Sequence, residues 1–327
     1  MNCPTCKAKT KVKKFGKDRH GDQRYRCLSC GKTFQEPRIR VLDNIRVTDE
    51  KALSVLSHLI EGCSIRTTER LTGVDRNTIM RLLLMAGENC EKFMHKRIKD
   101  LKVQDVECDE VWSFIGMKQK TANRKDVDDP TIGDAWTYTA IERNTKLILC
   151  WHLGQRTMHD TVQFTEKLAH ATDGNFQVTT DGFAAYKDAI VYSLGAQHVD
   201  FAQLIKIYQN NPENETRYSP AKCIGTKKKR VFGRPDRDRV STSIIERSNL
   251  SVRMENRRFT RLTNAFSKKW ANHHAALALY FAYYNFCRMH KTLRCTPAMA
   301  AGIVEHVWAL KDLLLAATRL TGEPHGK

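Results

Sequence analysis

Proline and glycine are scarce, at 8 and 17 of 327 residues, so long disordered or collagen-like stretches are excluded and most of the chain is expected to fold. Long apolar runs are missing too. The longest, residues 275–286, is too short to span a bilayer, and the N-terminal MNCPTCKAKT lacks the apolar core of a signal peptide. Without an export signal, the eleven cysteines do not read as a disulfide framework, and a cytoplasmic location is expected. Acidic residues are in deficit, and the net charge is +19. That excess sits in two places. Residues 1–40 carry 12 Lys/Arg against 3 Asp/Glu, and residues 227–269 carry 14 against 4. Two concentrated basic regions suggest two surfaces for a polyanion, most simply nucleic acid.

Four of the cysteines have a pattern. Cys3-Pro-Thr-Cys6 and Cys27-Leu-Ser-Cys30 form two CxxC knuckles separated by 20 residues, a spacing that lets four thiolates close a tetrahedron around one structural Zn²⁺. Gly31 permits a tight turn after the second knuckle, and the segment between reads as short strands of a zinc ribbon. A module of this size has little core, so the metal would supply its stability.

Residues 47–86 read as a helical unit. Thr48 opens a first helix, Ser64 caps a second over 65–71, and Asp75 caps a third over 76–85 after a turn at Thr72-Gly73-Val74. Two short helices across a glycine turn match a helix-turn-helix, in which Arg76, Asn77 and Arg81 would face DNA. Residues 88–102 continue helical and basic.

Residues 103–114, VQDVECDEVWSF, read as a strand. Val106, Cys108, Trp112 and Phe114 share one face, and Asp105, Glu107, Asp109 and Ser113 the other. An edge strand wetted on its polar side is one explanation; a metal site at Asp109 is another. Two strands over 135–142 and 147–153 follow, then a helix over 157–171, a strand ending in Asp181, and a helix over 184–194. This order is that of a ribonuclease-H-like fold, in which the strands bearing Asp109 and Asp181 lie side by side. Residues 201–240 read as irregular and polar. A long helix over 244–258 then carries Glu246, Asn249 and Arg253 on one face.

The segments CDEVWSF, TTDGFAAY, IIERSNLSVR and YYNFCRMHKTLRCTPAMAAG, in that order, resemble the DDE transposases of the Insertion Sequence One family. The resemblance covers nearly the whole chain. It implies a catalytic triad of Asp109, Asp181 and Glu246, with Arg253 near substrate DNA, in a nucleoid-associated prokaryotic enzyme. Such proteins are often made by a frameshift joining two reading frames, whereas one continuous frame supplies everything here.

The expected fold class is α/β. A ribonuclease-H-like core with a mixed five-stranded sheet spans 101–295, preceded by a zinc ribbon over 1–40 and an all-α helix-turn-helix domain over 41–100. A C-terminal helix and tail occupy 296–327. Three carboxylates can hold two Mg²⁺ or Mn²⁺ ions about 4 Å apart, suited to in-line attack on a phosphodiester. Lys227, Lys228, Lys229, Arg230, Asn249, Arg253, Arg257, Arg258 and Arg261 would hold the DNA beside them. The expected partners are duplex DNA, as terminal inverted repeats and target, and a second copy of the chain to pair two ends. His273, His274 and His290 read as packing or phosphate contacts. Three alternatives stay open at this point: a non-catalytic DNA-binding regulator, a structure-specific nuclease, and a tyrosine recombinase using Tyr283 or Tyr284.

Overall fold

The computed structural model describes residues 2–9, 11–17, 23–35, 40–42, 45–209, 223–260 and 263–322. Contacts divide the chain into two units, Met1–Arg40 and Val41–Lys327. In the first, β1 (Val12–Lys17), β2 (Gln23–Cys27) and β3 (Thr33–Gln35) form an antiparallel sheet in that order. Its apolar content is small: Tyr25 stacks on Phe34 with ring centroids 6.1 Å apart, and Phe15 lies exposed beneath Arg24 and Arg26.

The second unit opens with α1 (Asp49–Ile60), α2 (Ile65–Thr72) and α3 (Arg76–Arg97). Their starts are local chemistry. The side chains of Thr48, Ser64 and Asp75 accept hydrogen bonds from the backbone N–H groups of Lys51, Thr67 and Asn77, each satisfying a donor that the first turn leaves free. Gly73 ends α2 at a φ of 67°, the left-handed conformation that suits glycine. Helix α3 continues past Met85 without a break to Arg97. It packs on α8 (Trp270–Phe286), with α10 (Leu310–Gly322) also against it.

A six-stranded mixed sheet forms the rest of the core. Its strands are β5 (Asp105–Ile115), β6 (Gly133–Glu142), β7 (Ile148–Gly154), β9 (Phe176–Thr180), β10 (Val199–Tyr208) and β11 (Cys223–Phe232), in the order β11-β10-β9-β5-β6-β7. A separate two-stranded ribbon pairs β4 (Leu101–Lys102) with β8 (Thr172–Asp173). The five-strand expectation is therefore one short, and the residues 201–240 that read as irregular in the sequence hold most of β10 as well as the whole of β11. Strand β11 pairs antiparallel with β10, Lys227 opposite Ile205 and Arg230 opposite Ala202. Its exposed cations hide the strand pattern, a common feature of edge strands.

Strand β5 is central, not an edge. It pairs antiparallel with β6 and parallel with β9, with Cys108 opposite Thr180, and both of its faces are covered. Glu107 and Asp109 meet α7 (Ser243–Glu255) on one side. Cys108 and Glu110 lie on the other, beside Tyr186 of α6 (Ala185–Leu194). Helix α5 (Met158–Ala171) packs on α6 and β7. The short helices α4 (Gln119–Arg124) and α9 (Pro297–Ala300) complete the unit. Helix α7 stops at Glu255, short of the expected end at Arg258, and a 3₁₀ turn, Arg257–Phe259, follows. Among the described residues no helix is long and apolar enough to cross a membrane.

The α3–α8 contact depends on one glycine. A Cβ on Gly87 would lie 2.5 Å from the Ala275 Cα and carbonyl oxygen, far inside the roughly 3.5–4.0 Å optimum for carbon contacts. Alanine normally improves a helix interior by about 1 kcal/mol over glycine. Here the overlap is with backbone, and overpacking outweighs propensity. Gly87→Ala is expected to destabilise the second unit by about 2 kcal/mol, read as an earlier thermal transition in tryptophan fluorescence; an unchanged or later transition would contradict this packing.

Candidate metal centres and active site

The four knuckle cysteines converge. Cys3 Sγ lies 3.6 Å from Cys30 Sγ, and Cys6 Sγ 3.5 Å from Cys27 Sγ, with all four within 4.8 Å of one another. A zinc tetrahedron with bonds of about 2.3 Å has sulfur–sulfur edges of about 3.8 Å, so the cluster could hold zinc. The two knuckles share a backbone device. The Cys3 carbonyl accepts from Lys7 N–H and the Cys27 carbonyl from Gly31 N–H, each at 2.9 Å. Backbone N–H groups of Cys30 and Ser29 aimed at Cys27 hold its thiol below the ordinary range, while the neighbouring Cys27 thiol and burial outweigh an opposing backbone N–H and push Cys6 up, so the Cys27 thiolate forms readily and Cys6 awaits a metal's charge.

The second centre is built by strand register. Because Cys108 pairs with Thr180, the next residues, Asp109 and Asp181, emerge side by side. Oxygens of Asp109, Glu110 and Asp181 lie within 4.8 Å of one another, a group that could hold a divalent metal. Asp109, Asp181 and Glu246 all line one cavity of about 480 Å³, so the structure brings the three acids singled out in the sequence to a common cleft. Glu246 comes from the first turn of α7, where it is paired with Lys206 at 2.6 Å.

Each acid is held. Asn249 Nδ2 donates to Asp109 Oδ2 at 2.8 Å, and Phe183 N–H donates to Asp181 Oδ1 at 2.8 Å. Helix α7 is fixed from below. Its N-cap Thr242 makes no side-chain cap, and Glu107 supplies one instead, its Oε2 accepting from Ile244 N–H at 2.8 Å and Ile245 N–H at 2.9 Å. Arg156 enters from the loop after β7. Its guanidinium lies 3.3 Å from Glu110 and 3.5 Å from Asp181, over the Phe183 ring at 4.2 Å.

Sequence reasoning gives Glu110, Glu107 and Arg156 no role at this site. Alternation assigns Glu110 to the apolar face of β5, yet four acids within six residues (Asp105, Glu107, Asp109 and Glu110) are a visible signal. Among the described residues, Glu110 Oε1, Glu107 Oε1 and Asn249 Oδ1 are buried without a hydrogen-bond partner. An orphaned carboxylate oxygen at Glu110, beside Asp109 and Asp181, suits an oxygen-seeking cation such as Mg²⁺ or Mn²⁺.

The expected DNA residues fall into distinct settings. Arg76, Asn77 and Arg81 are exposed at the start of α3, and Arg76 pairs with Glu69 at 3.8 Å. Lys227, Lys228, Lys229 and Arg230 are exposed along β11. Arg257 is exposed and Arg253 partly so. Asn249 is a correction: it is buried and donates its amide to Asp109, so it positions an acid instead of meeting DNA. Arg258 is half-buried, and burial pushes its guanidinium down to about 10. Arg261 lies outside the described residues. Of the histidines, His273 is packed between Ser113 and Ser267, and burial pushes it down to about 3, so it stays neutral. Tyr284 is buried, which raises its phenol to about 12, a poor state for a nucleophile. No known protein-family model matches the chain.

Crowding sets the proton affinities. Burial, then the charges of Asp181 and Glu246, push Asp109 up to about 6; burial, then Asp181, push Glu110 to about 8. A carboxylate raised in the folded state binds protons there more tightly than in the unfolded chain, so its contribution to stability falls as pH rises from about 4 through 6. Replacing Asp109 by Asn is therefore expected to change little at pH 4 and to stabilise the second unit by roughly 2 kcal/mol at pH 8 without divalent metal. Paired tryptophan-fluorescence melts measure this; equal shifts at both pH values would contradict it.

Proposed function

We propose that this chain is a DNA transposase of the DDE class with a ribonuclease-H-like core. It would bind the terminal inverted repeats of its element and carry out metal-dependent strand cleavage and strand transfer. The observation that carries this reading is the meeting of Asp109, Asp181 and Glu246, from two adjacent parallel strands and one helix, around a single cavity. Strand order adds to it: three antiparallel strands, then β9 returning beside the first. Beyond that lies a Lys-rich edge strand next to Lys206 of the cleft, giving phosphates a cationic approach.

Two Mg²⁺ or Mn²⁺ ions bound by these carboxylates would activate water or a 3′-hydroxyl and stabilise the leaving 3′-oxygen. The chain's own residues do the rest. Asn249 and the Phe183 N–H fix the orientation of Asp109 and Asp181. Glu107 anchors the helix that carries Glu246. Arg156 and Lys206 offset the acids' charge and are within reach of a phosphate's non-bridging oxygens once those acids have other partners.

In the same reading, α2 and α3 act as a helix-turn-helix, with Arg76, Asn77 and Arg81 toward the terminal repeat. The four-cysteine module, with one zinc, adds a basic contact, and at least two copies pair the two DNA ends. A regulator that only binds DNA would have no need to gather carboxylates at a cost in stability, and burial of Tyr284 removes one of the two tyrosines a tyrosine recombinase would use.

The test is strand cleavage of duplex DNA taken from the gene's own flanks, with Mg²⁺ or Mn²⁺ and with EDTA. Wild type is expected to nick at a fixed position only with metal. Asp181→Ala and Glu246→Gln should lose activity on the order of a hundredfold or more while still binding the DNA. Metal-independent nicking, or full activity in either variant, would sink the proposal.

A further inference from the structure

A second cavity lies on the other flank of α7. It encloses about 210 Å³ and has no carboxylate among its lining residues. Arg247, Ser248 and Ser251 line it from α7, Arg288, His290 and Lys291 from the segment after α8, and Lys146 from the turn between β6 and β7. Arg288 is neutralised by its ion pair with Glu255. Arg247 and Lys291 are exposed, and Lys146 donates to the Thr292 hydroxyl. The wall bearing His290 is a built loop: His290 N–H donates to the Cys295 carbonyl at 2.9 Å, and Arg294 N–H returns to the His290 carbonyl at 2.8 Å. Lys146 itself occupies a left-handed turn position, φ 57°. Burial, then the charges of Lys146, Arg288 and Arg247, hold His290 below its ordinary range, and of these lining cations Arg288 alone has a carboxylate partner among the described residues.

Cations and hydroxyl donors around a small cavity match a phosphate group, which offers acceptors alone. We propose that this pocket binds a backbone phosphate of the same DNA that enters the carboxylate cleft. The assignment rests on the DNA reading above and extends it to a site on the neighbouring flank of the same helix. Glu246 and Arg247 are consecutive on α7 and diverge by about 100°. Helix α7 therefore separates the reacting phosphate from the held one. The pocket would hold the strand beside α7, and it would do so without reading sequence.

The experiment measures affinity for flank DNA across a salt series without divalent metal, for three proteins. These are wild type, the double variant Arg247→Gln/Lys291→Gln, and a control, Lys311→Gln/Arg319→Gln, which removes the same charge from exposed positions on α10. Thermal melts check that all three fold. Two lost phosphate contacts should make the slope of log affinity against log salt shallower by about 2 and weaken binding about tenfold, with the control near wild type. Wild-type binding that the pocket variant leaves unchanged, or that the control weakens equally, overturns the pocket and leaves the proposed function standing. A wild type that binds no DNA at any salt concentration overturns both.

Discussion

Mutual repulsion among carboxylates is the constraint around which the second unit is arranged. Asp109, Glu110, Asp181 and Glu246 line or adjoin one cleft, and two like charges about 4 Å apart repel by several kcal/mol at protein-like dielectric. Two means of offsetting that repulsion are visible. Arg156 bridges Glu110 and Asp181, and Lys206 pairs with Glu246. Proton uptake supplies a third, since burial first, and the neighbouring acids second, push Asp109 and Glu110 up to about 6 and about 8. A divalent cation would do the same work more completely, which is the physical reason to read the cleft as a metal site and not as a solvated acidic face.

Rigidity of the surrounding fold makes such a cluster possible. Asp109 and Asp181 are neighbours because β5 and β9 pair in parallel in one register, and a slip of one residue would send one of them to the other face. Glu246 depends on a different support. Its helix begins where the Glu107 carboxylate accepts two backbone N–H groups, so the strand that carries Asp109 also seats the helix that carries Glu246. The price of that anchoring is a buried carboxylate pushed up to about 7.

Much of this is legible where the chemistry is local. Thr48, Ser64 and Asp75 cap helices in the structure as their positions suggest, because a cap is made within three residues. The acids at 109, 181 and 246 stand out as charges in apolar surroundings or at element ends. What stays hidden depends on distance or on exposure. Glu107 acts on a helix 137 residues away, and no local pattern announces that. Arg156 is a lone cation in a loop until folding sets it against Glu110. Strand β11 escapes a sequence reading because CIGTKKKRVF is mostly exposed and lacks the apolar alternation by which strands are recognised. Asn249, expected to face DNA, instead packs under Asp109, an outcome decided by the depth of α7 against the sheet.

The most direct test of the central claim is to locate Mn²⁺ in the folded protein by its anomalous X-ray scattering in crystals grown with the ion. Mn²⁺ is expected in the cleft, bound by Asp109, Asp181 and Glu246, with the Lys206–Glu246 and Arg156–Asp181 pairs broken. Crystals in which Mn²⁺ leaves both ion pairs intact and the cleft empty would contradict that claim.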